Sequence, residues 1–205
     1  MAGTIIRSFA APSTESYGLA FDGRTLWSVD YITNLIYQID PATGTLIRSF
    51  AAPAVGTRGL VWHGRFLWSC NDATDLIYQI DPVSGTVVRS FAAPAILTIP
   101  LASDGRCLWA FSINTRRLYQ IDPATGTVIR SILLAGMTLG GLAWHGRTIW
   151  SSDYIALTIS QHDLVTGTVI RSFASPAGTP LGLTWDGRAL WMFDFTNAKI
   201  CQISV

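Results

Sequence analysis

Catalysis needs titratable or nucleophilic side chains that can converge, and this chain has few of them. Glu15 is its only glutamate. A lone carboxyl can do acid–base work only if the fold holds it at the reacting atoms. The histidines His63, His145 and His162 share no ligand spacing, and neither a zinc site nor a catalytic constellation is expected from them. Cys70, Cys107 and Cys201 contain no CxxC pair, which reads as free, inert thiols. There is no G-x-S-x-G and no phosphate-cradling glycine loop. One pattern stands out. Three residues after each of five regularly spaced tryptophans comes an oxygen-bearing side chain: Asp30, Asn71, Ser112, Asp153 and Asp194. Asp30, Asp153 and Asp194, with the two neutral oxygens, could ring a hard cation. The same residue types also close turns through side-chain-to-backbone hydrogen bonds. That second reading is preferred, and no cofactor is expected.

The elements that position these residues follow from an internal repeat. A 41-residue unit recurs five times without a gap, beginning at Gly3, Gly44, Gly85, Gly126 and Gly167. The units are 3–43, 44–84, 85–125, 126–166, and 167–205 with residues 1–2, in one domain. Each holds four short apolar segments, in the first complete set Tyr17–Phe21, Thr25–Val29, Leu35–Ile39 and Thr45–Phe50. They are rich in β-branched and aromatic residues and too short for helices. Asp22-Gly23 marks a tight hairpin and Asp40-Pro41-Ala42-Thr43-Gly44 a longer turn. Four strands per unit is the size of a propeller blade. The expected fold is therefore all-β: a five-bladed β-propeller of four antiparallel strands per blade, lettered a to d from the axis outward. The chain begins on a d strand, Thr4–Phe9, and ends on a c strand, Ala198–Ile203. The N-terminal d strand should thus complete the last blade and close the ring. A closed ring, lacking free radial edges, is expected to be a monomer.

Nine repeat positions are identical in all five units, among them Trp27, Arg24, Arg7, Gln38 and Leu19 with their equivalents. The tryptophans are expected to pack between blades. The arginines are expected to satisfy turn carbonyls or to pair with Asp22- or Asp40-type carboxylates. His63 and His145 replace the turn aspartate, and His162 replaces an Ile39-type core residue.

Blade geometry puts the a–b and c–d turns on one face and the b–c and d–a loops on the other. The first set is nearly constant; the second differs from blade to blade, in d–a loops such as Ser13–Tyr17, Ala54–Arg58, Ala95–Ile99, Gly136–Gly140 and Ala177–Leu181. Binding residues concentrate in loops on rigid scaffolds, so the variable face is the expected working face, set against simple drift of loops that bear little packing load. The candidates there are the charged Glu15, Arg58, Asp72, Asp75 and Arg116, with Arg117 and Lys199 beside them, and the aromatic Tyr17, Tyr31, Tyr154 and Phe195. The aromatics could form a stacking platform for a sugar or peptide.

Gly182–Trp191, like Gly18–Trp27, combined with Ile36-Tyr37-Gln38-Ile39-Asp40-Pro41 and Thr43-Gly44, resembles the repeats of glutaminyl-cyclase-like (glutamine cyclotransferase) five-bladed propellers, and more loosely those of streptogramin-lyase-like and NHL-type propellers. The resemblance spans the chain because it lies in the repeat. It implies cyclisation of N-terminal glutamine by acidic and polar groups at an axial pocket, with Glu15 the obvious acid–base candidate. The close similarity of the units and their whole number suggest a recently amplified propeller or one built to close as five blades.

Composition narrows the partners. Net charge is +1 and only 13% of residues are charged, which gives no electrostatic reason to expect nucleic acid or an anionic membrane. The most apolar run, Ile132–Trp144, is interrupted by Gly136, Thr138, Gly140 and Gly141 and is too short to span a bilayer. No signal peptide opens the sequence, and with unpaired cysteines this favours the cytoplasm. The leading expectation is a non-enzymatic propeller that binds a small molecule, sugar, peptide or protein on its variable face. The alternatives are a glutaminyl-cyclase-like enzyme and a scaffold with no ligand.

Overall fold

The structure is a computed structural model that describes residues 3–134 and 137–205; Met1, Ala2 and Gly136 of the d–a loop before blade 4 fall outside the described residues. Among the described residues, twenty strands form five four-stranded antiparallel sheets. Blade 1 is β2 (Ser16–Phe21), β3 (Leu26–Asp30), β4 (Leu35–Ile39) and β5 (Leu46–Ala51). Blade 2 is β6 (Thr57–His63), β7 (Phe66–Asn71), β8 (Leu76–Ile80) and β9 (Val87–Ala92). Blade 3 is β10 (Thr98–Ser103), β11 (Leu108–Ser112), β12 (Arg117–Ile121) and β13 (Val128–Leu133). Blade 4 is β14 (Leu139–His145), β15 (Thr148–Asp153), β16 (Thr158–Asp163) and β17 (Val169–Ala174). Blade 5 joins β18 (Pro180–Trp185), β19 (Leu190–Asp194) and β20 (Lys199–Ile203) to the N-terminal β1 (Ile5–Ala10). The pairing Ser8↔Cys201 and Phe9↔Ile200 is the expected ring closure. Gly3 N and Ser204 N donate to Ser204 O and Thr4 O, each at 2.9 Å, and extend it.

The core is five inter-blade clusters. One joins Ala20, Trp27, Val29 and Ile36 of blade 1 to Leu60, Leu67, Tyr78 and Ile80 of blade 2. The cluster of Leu19, Leu26 and Ile39 with Leu181, Trp191, Phe193 and Ile200 seals blade 5 against blade 1. All five tryptophans of the repeat are buried, so they pack between blades as their flat, apolar bulk predicts.

The d-strand arginines bind turn carbonyls, not aspartates. Arg48 donates to Gln38 Oε1 at 2.8 Å, to Val83 O at 2.8 Å and to Pro82 O, while its guanidinium lies 5.5 Å from the Trp27 ring centroid. Arg89 repeats this with Gln79, Ala124 and Pro123. Arg7 and Arg130 likewise donate to Pro41 O and Leu164 O, so these four arginines tie their blades to the next blade's c–d turn. Among the described residues the one ion pair is Arg58–Asp72, so the alternative expectation of arginine–aspartate pairing within the repeat is not met. The turn aspartates spend their acceptors locally. Asp22 accepts from Thr25 N, Arg24 N and Trp27 Nε1. Burial opposes ionisation of Asp22, but these hydrogen bonds outweigh it and hold the carboxyl below its ordinary value.

Two further features prepare the site. At the repeat position of Gly18, an added Cβ would lie 2.5 Å from Arg58 O in the next blade, and at Gly59 2.0 Å from Ile99 O. The inner strands approach so closely there that the axis is closed to water at this waist. One residue earlier, the a–b register shifts in every blade, between Ser16 and Gly18, Thr57 and Gly59, Thr98 and Leu101, Leu139 and Gly141, and Pro180 and Leu183.

Candidate functional site: an axial cavity built on five bulges

A β-bulge leaves one residue without a ladder partner and re-aims its side chain. The residues at these irregularities include Tyr17, Arg58, Ile99, Gly140 and Leu181, one per blade at a single repeat position. All five line a cavity of about 170 Å³ at the axial mouth of the variable face. Tyr154, Thr179 and Phe195, from the adjoining b–c and d–a loops, complete the lining. Immediately below, the glycine waist forms its floor. The strand backbone is thus constant while the one position turned toward the axis carries five different residue types.

The walls are mostly apolar and aromatic, with one cation. Tyr17 and Tyr31 pack at 5.6 Å between centroids, and Tyr17 and Phe195 at 6.4 Å. The Arg58 guanidinium sits 4.7 Å from the Tyr17 ring centroid and 4.4 Å from that of Tyr31, within the range of cation–π attraction. Arg58 Nε lies 2.6 Å from Asp72 Oδ2, an ion contact without hydrogen-bond alignment. Asp72 therefore stands behind Arg58 and fixes its approach. Burial pushes the Tyr154 phenol up and outweighs the opposing pull of Arg58, so it remains a neutral hydrogen-bonding group. Among the described residues the lining contains no carboxylate, imidazole or thiol.

Of the residues expected from sequence, Tyr17, Arg58, Tyr154 and Phe195 meet in this cavity, with Tyr31 and Asp72 directly behind Arg58. Glu15 is not in the lining; its backbone N–H donates to Asp30 Oδ2 and its carbonyl accepts from Tyr31 N. Asp75 and Arg116 also lie outside it. Both hold left-handed backbone angles, φ 52° and 55°, at the turn from strand b to strand c, where their backbone carbonyls accept from Ala93 N and Leu134 N. Arg117, at the head of β12, donates to Ser131 Oγ. Ile99, Gly140, Thr179 and Leu181 were not singled out as site residues. The signal for three of them was present, since each ends a d–a loop at the position of Tyr17.

The oxygen ring does not converge on a cation. Asp30 Oδ1 accepts from Thr33 N and Oγ1, and Oδ2 from Ser13 Oγ and Glu15 N. Burial would raise the Asp30 carboxyl, but these bonds outweigh it and lower it. Asn71 binds Ala73 N, Thr74 N and Val55 O. Asp153 binds Ile155 N, Ala156 N and Thr138 N, and Asp194 binds Thr196 N and Asn197 Nδ2. Each closes its own b–c turn, and most also staple the neighbouring d–a loop. Among the described residues no group of three or more His, Cys, Asp or Glu side chains could hold a metal.

No protein family and no curated protein matches the sequence. Solved structures do match. A glutaminyl cyclase from Myxococcus xanthus superposes with a TM-score of 0.82 at 13% identity, covering 98% of this chain and 94% of that one. The Cps50 (Swd1) β-propeller domain of Myceliophteria thermophila gives 0.63 at 14% identity, with 98% and 99% covered. The computationally designed Ika8 protein gives 0.54 at 14% identity, with 93% and 58% covered. At such identities the likeness establishes the five-bladed architecture and its similarity to glutaminyl-cyclase propellers; fold alone does not carry activity.

Proposed function

We propose that the protein is a non-enzymatic binding module whose axial cavity takes one small, largely apolar ligand with its polar end turned to Arg58. The observation that carries this reading is the ring of five bulged residues. A mostly apolar concavity with a few convergent polar groups is the usual form of a small-molecule site. Here Arg58, backed by Asp72 and held between two tyrosines, supplies the directional contact, and Tyr154 and Thr179 supply neutral ones. The five lining residues differ, so the ring presents a single asymmetric site and not five equal ones.

A thermal-shift screen tests this, with small aromatic and aliphatic acids, amides, sugars, divalent cations and Gln-peptides. A ligand at 100 times its Kd stabilises the ring by about 2.7 kcal/mol. For a domain of this size that is a rise in Tm of roughly 5–10 °C. The expected outcome is a shift from one class of small ligand, lost in R58M. A screen with no shift removes the small-molecule reading and leaves a scaffold without such a ligand.

The second reading is a glutaminyl-cyclase-like enzyme, favoured by the whole-chain likeness to the Myxococcus xanthus enzyme. Its weakness is chemical: Glu15 is outside the cavity, and among the described residues no other carboxylate, imidazole or thiol lines it. Gln-peptide cyclisation that disappears in E15Q would establish that reading; a wild-type protein with no cyclisation ends it.

A further inference from the structure

The other face of the ring has its own cavities, and one of them is lined by a tryptophan whose buried indole N–H has no acceptor. In blades 1, 3 and 5 the indole N–H of the repeat tryptophan donates to the a–b turn aspartate: Trp27 to Asp22 at 2.8 Å, Trp109 to Asp104 at 2.9 Å and Trp191 to Asp186 at 2.8 Å. In blades 2 and 4 that aspartate is His63 or His145. There Trp68 Nε1 and Trp150 Nε1 are buried without a partner. His63 does not substitute for the carboxylate, because its Nδ1 lies 2.8 Å from Ser103 Oγ of blade 3. A buried, unpaired indole N–H costs free energy until an acceptor reaches it.

Trp68 also lines an open pocket of about 310 Å³ between blades 2 and 3, with His63, Arg65, Phe66, Gln79 and Arg89. Arg89 is committed to Gln79 and to the Pro123 and Ala124 carbonyls. Arg65 is exposed and, among the described residues, has no ion pair. The equivalent pocket between blades 5 and 1, about 280 Å³, already contains a carboxylate, that of Asp186, which accepts from Trp191 Nε1 and Gln202 Nε2. The pocket beside Trp68 therefore has the donors of that arrangement without its acceptor, and a guanidinium in addition.

We propose that the pocket between blades 2 and 3 binds a carboxylate, which takes the place of the missing turn aspartate, accepting from the Trp68 indole N–H and pairing with Arg65. The carboxylate comes from a free small acid or from an acidic side chain of a protein partner. Either satisfies the same donors, since charge-assisted bonds to guanidinium and N–H groups are the strong ones.

The test is the indole N–H spectrum of the ¹⁵N-labelled protein at pH 7.5, titrated with sodium acetate against sodium chloride of equal ionic strength, and separately with a capped Gly-Asp-Gly peptide. The expected result is a saturable shift of the Trp68 indole resonance, with those of Trp27, Trp109 and Trp191 unmoved. R65Q should weaken it roughly tenfold, the magnitude of one charge-assisted bond. H63D, which restores the turn found in three blades, should abolish it while leaving the ring folded. Tighter binding of the peptide assigns the site to an acidic side chain; binding of acetate alone assigns it to a small acid. No response of Trp68 to either, an equal response to chloride, or a response that survives H63D overturns the proposal.

Discussion

Single residues depart from the repeat at identifiable cost, and His162 shows it most clearly. It stands where the other blades have Ile39, Ile80, Ile121 and Ile203, and it is fully buried. Its Nε2 lies 2.8 Å from Ser151 Oγ, while its Nδ1 is buried without a partner. Burial is the larger influence on its pKa, which falls to about 4 from an ordinary 6.5. A histidine depressed in the folded state is bound neutral, so the unfolded chain takes up its proton first as pH falls. Its contribution is intact above pH 6.5, is lost progressively between about 6.5 and about 4, and is constant below. Over that window the loss is about 3 kcal/mol, from roughly 1.4 kcal/mol per pKa unit. H162I should remove this slope and raise stability at pH 5. Ser151 would lose its partner, but Ser28 and Ser69, its equivalents beside isoleucines, already stand buried without one. Urea denaturation of wild type and H162I at pH 7.5 and pH 5 checks it; equal stability differences at both pH values would refute it.

At the scale of the strand, the a strand carries both the fold and the site. Its glycine position lets neighbouring blades meet backbone to backbone, and the bulge just before it turns a variable side chain toward the axis. G59A should therefore cost about 3 kcal/mol, the upper range for overpacking a tight contact, because its Cβ would meet Ile99 O at 2.0 Å and Cys70 Sγ at 2.5 Å. G64A, in open space at φ 64°, should cost only the roughly 1–2 kcal/mol of a left-handed residue with a side chain. A comparison of their denaturation midpoints separates steric closure of the ring from simple backbone strain, and equal losses would contradict the waist. Strand boundaries were legible in the sequence to within one or two residues, because period, β-branched content and Asp-Gly and Pro-Ala-Thr-Gly turns all agree. Tyr17 and Arg58, which line the cavity, were conspicuous in the sequence by being unusual for the repeat. Ile99, Gly140 and Leu181 share the repeat position of Tyr17, but an apolar residue or glycine at the end of a loop looks like packing. Only the register shift, a property of paired strands, shows that all five face one space. Glu15 stood out by its rarity in the composition, which carries no information about direction, and it lies outside the lining of this cavity.

At the scale of the molecule, closure is what joins the first strand to the last. β1 pairs with β20 over Ile5–Ala10 and Lys199–Ile203, and the Phe9 ring packs, tilted by 46°, at 5.8 Å from that of Trp191 in the blade it completes. The Leu181, Trp191, Phe193 and Ile200 cluster then continues into blade 1 as at any other junction. If every junction is equivalent, the point at which the chain is cut should be immaterial to the finished ring. Permutation tests this directly: residues 205 and 1 are joined by a short glycine–serine link, and the chain is opened in the d–a loop between Pro12 and Ser13. In that order each blade is continuous in sequence, whereas the native order must bring β1 to β20 across nearly the whole chain. Long-range closure slows folding more than it alters stability. The permutant should reach a Tm within roughly 5 °C of the parent, about 1–2 kcal/mol for a domain of this size, and should refold faster. A permutant that unfolds in two separate transitions, or refolds more slowly, would show that the β1–β20 seam has a stabilising role the other four junctions lack.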